Sequence, residues 1–260
     1  MKNLSTLVPA VVLDWAGTMI DPGCLAPVVA LRTVLARHGL VVSAAEARVG
    51  MGLAKKDHLR GLLVAHGVGA ATDELYPALE REMFLQLEHH AVLVAGAREF
   101  ADWLHAGGVR IGTSTGYTAE MIRVVAGAAA RQGYVPDAIV TPDDVSAGRP
   151  APLMMYANAL RLGVWPLSSI VKIGDTPSDI AEGINAGSWT IGVALSGNAL
   201  GLSVAETAAL EPAERAVKFV AARDSLRAAG ASFVVNSVAD CPPVLEEIAA
   251  RIKRGERPLQ

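Results

Sequence analysis

Residues 8–18 read VPAVVLDWAGT. The run 8–13 is short, apolar and rich in valine, and it stops at an acid followed by small residues. It predicts a buried strand with a carboxylate, Asp14, at its end. Gly17 would let the chain turn tightly beneath a ligand. Alone the pentapeptide from Asp14 to Thr18 decides little, because a strand-end aspartate is often a helix cap or a turn residue.

Five more short apolar runs follow, at 109–112, 138–140, 170–173, 190–193 and 233–235. Between them, residues 96–107, 117–131, 151–162, 177–186 and 212–229 carry apolar positions at helical spacing. Strand alternating with helix predicts an α/β fold, a doubly wound parallel sheet covered on both faces. Ligands in such folds bind beyond the carboxyl ends of the strands. Residues 23–92 break the alternation, since their periodic segments, near 26–39, 44–48, 53–66 and 73–90, all read as helix. We therefore expect a core domain of residues 1–22 and 93–260 and an inserted helical cap domain of residues 23–92. Asp21-Pro22-Gly23 and Ala95-Gly96 would be its hinges.

The 260 residues are long enough for such a core, and a hydrophobic share of 52% suits a globular chain. A net charge of −3 offers no basic field, which argues against nucleic acid as a partner. No run approaches the roughly 20 apolar residues of a membrane helix. The apolar opening reads as a strand rather than a leader, so no membrane association and a cytoplasmic location are expected. Cys24 and Cys241 match no metal or redox spacing. Trp103, Trp165 and Trp189 are expected to pack, and the charged residues 251–260 to fray.

Three further strand ends carry chemistry. Thr113-Ser114-Thr115-Gly116 offers hydroxyls and N–H groups to an anion, Gly148-Arg149-Pro150 gives a fixed cation, and Gly174-Asp175-Thr176-Pro177-Ser178-Asp179 adds two carboxylates. Separately each has an ordinary reading: Thr115 as an N-cap, Arg149 as a surface charge, Asp175 and Asp179 as cap and first-turn residues. Together, three acids, a cation and a hydroxyl at one mouth of a sheet read as a catalytic site.

This order, DxxGT, a hydroxyl, a cation and then GDxxxD, resembles the four motifs of the haloacid dehalogenase superfamily. The resemblance implies that Asp14 attacks phosphorus and that Thr115 and Arg149 grip the phosphoryl oxygens. It also implies that Asp14, the carbonyl of Ala16 and Asp175 hold Mg²⁺, with Asp179 orienting the metal's waters. A hard cation offsets repulsion between a carboxylate nucleophile and a dianionic group. Phosphatases of this type carry a second aspartate two residues after the nucleophile to protonate a leaving alkoxide. Here that position is Ala16, which disfavours ordinary ester hydrolysis.

A carbon leaving group needs an electron sink instead, and a lysine imine provides one. Met51-Gly52-Leu53-Ala54-Lys55-Lys56-Asp57-His58 contains candidates. With DWAGTxxDxGC and GRPxP, this MGLxKxDH segment resembles the phosphonoacetaldehyde hydrolase (phosphonatase) family. That resemblance implies hydrolysis of a small phosphonate, Lys55 as the Schiff-base residue, and Met51, His58, Cys24 and Tyr117 in the pocket. His58, three residues beyond Lys55, could share its helix face and move protons. Lys55 would need burial to hold a neutral amine. A homodimer is a further expectation. Two alternatives stay open at this point: an Mg²⁺-dependent phosphatase or phosphomutase acting on a small phosphate ester, and a non-catalytic phosphonate-binding sensor.

Overall fold

The computed structural model describes residues 4–258. Six parallel strands form one sheet: β1 Ala10–Leu13, β2 Arg110–Ser114, β3 Ala138–Val140, β4 Ile170–Gly174, β5 Trp189–Val193 and β6 Phe233–Val235. Their spatial order is β3-β2-β1-β4-β5-β6. The chain winds outward from β1 in one direction and then, from β4, in the other, which is the doubly wound arrangement expected. Successive residues of β1 show why it must be covered twice. Val11 and Leu13 join the main apolar core with Phe100, Leu104, Leu245 and Ile248, whereas Val12 packs on the other face with Met155 and Ala159.

The helices are α1 Leu4–Leu7, α2 Leu25–Arg37, α3 Ala44–Arg48, α4 Lys55–Ala65, α5 Thr72–His90, α6 Ala97–Ala106, α7 Ala119–Arg131, α8 Leu153–Leu162, α9 Pro177–Asn185, α10 Val204–Ala209, α11 Pro212–Ala228 and α12 Cys241–Lys253. Between β1 and β2 the segment holding α2 to α5 is helical, as its periodicity implies. Ser43 starts α3 with a capping box to Glu46, and α5 packs along α2. No helix among the described residues is long and apolar enough to cross a membrane.

Two expectations and one alternative reading need correction. Residues 251–253 do not fray: they finish α12, whose Leu245, Ile248 and Ala249 are buried, and Arg251 pairs with Glu247 at 2.9 Å. Leu259 and Gln260 lie outside the described residues. Trp165 does not pack, being 80% exposed on the connection after α8, whereas Trp189 is buried. Finally, Thr118 rather than Thr115 caps α7, its hydroxyl accepting the Met121 N–H.

Candidate active site

Sheet register brings the acids together. Leu13 stands between Thr113 of β2 and Ile173 of β4, so the residues that follow on these strands emerge side by side. The Asp14 N–H donates to the Ile173 carbonyl at 2.9 Å, which aligns Asp14 with the turn carrying Asp175. Thr176 caps α9 with a capping box, and this places Asp179 in the first turn facing the same point. Asp14, Asp175 and Asp179 offer oxygens that all lie within 4.8 Å of one another, and all three side chains are buried.

Arg149 enters this cluster as a fork. Its Nη2 meets Asp14 Oδ1 at 3.0 Å, its Nη1 meets Asp179 Oδ1 at 3.0 Å and its Nε meets Glu182 Oε2 at 3.0 Å. Nη2 also donates to the Ser114 hydroxyl at 2.9 Å. A second cation rises from mid-strand: Lys172 Nζ lies 2.7 Å from Asp179 Oδ1, 3.4 Å from Glu182 Oε2 and 3.0 Å from Ser114 Oγ. Asp179 is therefore both a helix cap through Oδ2 and an ion-pair partner through Oδ1.

The electrostatics divide the acids. Burial pushes the Asp14 carboxyl up, opposed by Arg149 and reinforced by Asp179. Burial, with Asp14 and Asp179 beside it, pushes Asp175 well up. Burial works the same way on Asp179, but Arg149 and Lys172 outweigh it and hold that carboxyl below the usual range. Asp175 has no cation partner among the described residues. It takes bonds from the Asn198 N–H at 2.7 Å, the Cys24 thiol at 3.1 Å and the Thr18 hydroxyl at 3.2 Å. Four buried carboxylates thus face two fixed cations. The shortfall, with hard oxygen donors at this spacing, fits a divalent metal ion.

The helical insertion closes over this mouth. Gly52 (φ +90°) and Gly116 make the approach possible: a Cβ on Gly52 would stand 2.5 Å from the Thr176 hydroxyl oxygen, and one on Gly116 would overlap the Leu53 carbonyl. Beneath lies a cavity of about 10 Å³, room for about one water molecule, lined by Asp14, Ala16, Cys24, Pro27, Met51, Gly52, Lys55, Thr115, Gly116, Tyr117 and Thr176. Lys55, first residue of α4, is 4% exposed, and its Nζ lies 5.0 Å from the centre of the Tyr117 ring. Burial lowers its amine from 10.5 to about 8, with Asp14 pulling the other way. Lys56 turns outward to Asp73 at 2.7 Å. Burial also pushes up the Cys24 thiol and the Tyr117 phenol, so neither is poised to ionise.

Of the residues anticipated, Asp14, Ala16, Cys24, Met51, Lys55, Thr115 and Tyr117 line the cavity, while Arg149, Asp175 and Asp179 stand just behind its wall. His58 is placed differently. Its Nε2 faces the Ala47 carbonyl at 3.0 Å, and its ring borders a separate cavity with Val49, Gly50, Leu53 and His66. Burial, then the charge of Lys55, lowers His58 to about 3, which keeps the ring neutral. The sequence pattern gives Ser114 only as one hydroxyl of its strand-end motif and gives no role to Lys172 or Glu182. A lysine inside the apolar strand IVKIG, and a glutamate three residues beyond Asp179 on one helix face, were the available signals.

Residues 8–187 match the haloacid dehalogenase-like hydrolase family, and with this sheet and acid cluster the chain belongs to that class of hydrolases. The chain is 44% identical to a phosphonoacetaldehyde hydrolase of Nitratidesulfovibrio vulgaris, over 96% of this chain and 94% of the relative. It is 42% identical to a phosphonoacetaldehyde hydrolase of Bacillus cereus, over 93% and 96%. A crystal structure of a phosphonoacetaldehyde hydrolase-like protein from Oleispira antarctica superposes with a TM-score of 0.93 at 37% identity, covering 97% of this chain and 96% of that one. Within the haloacid dehalogenase-like class, the chain is therefore a member of the phosphonoacetaldehyde hydrolase family.

Proposed function

We propose that this enzyme hydrolyses the carbon–phosphorus bond of phosphonoacetaldehyde to acetaldehyde and phosphate, with Lys55 and Asp14 attacking from opposite walls of one cavity. The observation that carries the reading is Lys55 itself. It is the amine on the lid side, buried over the nucleophile, lowered toward neutrality, and set against a chain that has Ala16 where an acid would serve an oxygen leaving group.

In this reading the neutral Lys55 amine adds to the aldehyde carbon, one proton is taken up and water leaves, giving an iminium. Asp14 attacks phosphorus, the electron pair of the breaking C–P bond becomes the C=C bond of an enamine as the iminium π pair moves to nitrogen, and an aspartyl-phosphate forms. Protonation of the enamine carbon and hydrolysis release acetaldehyde and free Lys55. A second water cleaves the aspartyl-phosphate. Arg149 fixes the orientation of Asp14, and the hydroxyl of Thr115, which lines the cavity, would donate to a phosphoryl oxygen. His58, its ring held neutral and turned toward a separate cavity, would pack behind Lys55 rather than carry its protons. Cys24, Met51 and Tyr117 shape the aldehyde end.

Mg²⁺ is the metal we assign to the acid cluster. Asp14, the Ala16 carbonyl and Asp175 would hold it, with Asp179 orienting its waters, and it would supply positive charge against the phosphonate oxygens. The cavity is far smaller than the substrate, so residues 23–92 must lift as a cap from the core of 1–22 and 93–260 to admit it. A homodimer is part of the same proposal. Tyr156, Leu160 and Trp165 line an apolar cleft on the outer face of the core, a surface that solution mass by ultracentrifugation would test.

The deciding experiment offers phosphonoacetaldehyde with Mg²⁺ and borohydride. We expect phosphate and acetaldehyde in equal amounts without borohydride, and a two-carbon adduct on Lys55 with it. An unmodified Lys55, or equal turnover of simple phosphate esters, would reject the mechanism. Tight binding without turnover would make the protein a sensor.

A further inference from the structure

We propose that Arg48 is a positioning residue for the acid cluster: it clasps the helical insertion to the loop after β5 and, through Asn198, fixes the hydrogen bond that orients Asp175. The inference rests on the metal-site reading above.

Arg48 ends α3, well outside the cavity. Its Nη1 donates to the Gly23 carbonyl at 2.8 Å and to Asn198 Oδ1 at 3.1 Å, and its Nη2 donates to the Gly201 carbonyl at 2.6 Å. One guanidinium thus ties together the insertion, the linker that carries it and a loop of the core. No carboxylate lies within ion-pair distance of it among the described residues, so its bonding capacity goes to these neutral oxygens. A charged donor makes each such bond stronger than an amide would.

The loop is built around this contact. At Gly201 (φ +67°) a Cβ would come within 2.6 Å of Arg48 Nε. At Gly197 a Cβ would overlap the Asp175 side chain, so the backbone there presses directly on the acid. Between the two glycines, the Asn198 side chain accepts from Arg48 while the Asn198 backbone N–H donates to Asp175 Oδ2 at 2.7 Å. Asp175 is the acid without a cation partner, so it depends most on neutral donors for its orientation. Lifting the insertion breaks all of Arg48's contacts with the core loop at once and frees Asn198. Closure and the geometry of Asp175 are therefore linked, and linkage runs both ways: a cation on the acid cluster favours the closed lid.

The test measures Mg²⁺ binding by calorimetry, without substrate, to the wild-type chain and to Arg48→Ala, Arg48→Lys and Gly201→Ala. Amide hydrogen exchange across residues 195–203 accompanies it. Outer partners of metal ligands are worth about 10–100-fold in affinity, so Arg48→Ala should bind Mg²⁺ about tenfold more weakly, with faster exchange at Asn198. Gly201→Ala, which leaves the guanidinium intact but displaces it, should do the same, and Arg48→Lys should fall between. A folded Arg48→Ala protein with wild-type Mg²⁺ affinity would overturn the clasp even if its turnover dropped. If the wild-type chain bound no Mg²⁺, the metal reading would fall first. Unchanged exchange at Asn198 in Arg48→Ala would then reject the clasp separately.

Discussion

Replacing Lys55 with methionine should abolish imine trapping and make the protein more stable. The folded amine titrates at about 8 against an ordinary 10.5. Each pKa unit corresponds to about 1.4 kcal/mol, so holding an ammonium in this cavity costs up to about 3 kcal/mol. The sign follows from which state sheds its proton first. Below pH 8 both folded and unfolded chains carry the proton, and the full cost is present. Between pH 8 and 10.5 the folded chain is deprotonated while the unfolded chain is not, so stability rises with pH. Above 10.5 the cost is gone. Methionine fills similar volume with no charge.

At pH 7 the Lys55→Met protein, freed of metal with chelator, should therefore melt about 6–10 °C above the parent. The gap should shrink steadily from pH 8 to 10. Calorimetry checks both. A variant that melts at or below the parent at pH 7, or a gap that ignores pH, would refute the idea that burial lowers this amine. The same shift raises the neutral fraction at pH 7 from about 3 in 10,000 to about 1 in 10. Consequently kcat/KM should climb about tenfold per pH unit below 8 and level off above it. A flat profile between pH 6 and 8 would contradict it.

Other perturbations separate the remaining parts of the site. Arg149→Lys cannot reproduce a fork that meets Asp14, Asp179 and Glu182 together, so kcat should fall by about 10²–10³ while the chain still folds, as steady-state kinetics would show. Gly116→Ala puts a methyl into the Leu53 carbonyl. Closure should fail, kcat/KM should fall about tenfold or more, and the melting temperature should move by only about 2 °C, since the clash arises only when the lid is shut. Lys172→Met leaves Asp179 and Glu182 short of a buried partner and should cost about 3–5 kcal/mol by denaturant unfolding. Adding Glu182→Gln should recover part of that loss.

The sheet could be read from the sequence because parallel strands buried on both faces leave continuous apolar runs, and all six were visible. The helical character of α2 to α5 could be read for the complementary reason, an absence of strand-like runs between Gly23 and Val92. Strand ends pointed to Asp14, Thr115 and Asp175 because topology alone sends them to one mouth. Helix α12 was missed: its buried positions Leu245, Ile248 and Ala249 follow a Cys-Pro-Pro start that resembles a connection. Arg48 and Asn198 were missed for a different reason. They are 150 residues apart and meet only through the closed insertion, and an arginine after AAEA carries no local sign that it will serve backbone carbonyls of a remote loop. Local pattern reports which face is buried, but a contact between two polar surface segments depends on how the domains dock.

The two buried lysines show what docking adds. Lys172 and Lys55 are both almost inaccessible, at 0% and 4% exposure. Lys172 comes from mid-strand and meets Asp179 and Glu182, whereas Lys55 has no carboxylate within ion-pair distance among the described residues and looks onto the Tyr117 ring. Lys172 is held by the core alone, so its partners are present whether or not the lid is shut. Lys55 is isolated only because the insertion carries it down onto Tyr117 and Gly116 of the core. If the insertion moves as proposed, closure would strip water from the amine and favour its neutral form at the moment it faces an aldehyde. Under the proposed mechanism, opening would return Lys55 to solvent, where the amine would regain its proton and the imine would meet the water that hydrolyses it. On this reading the lid would do more than shelter the substrate: its position would set the protonation of the amine.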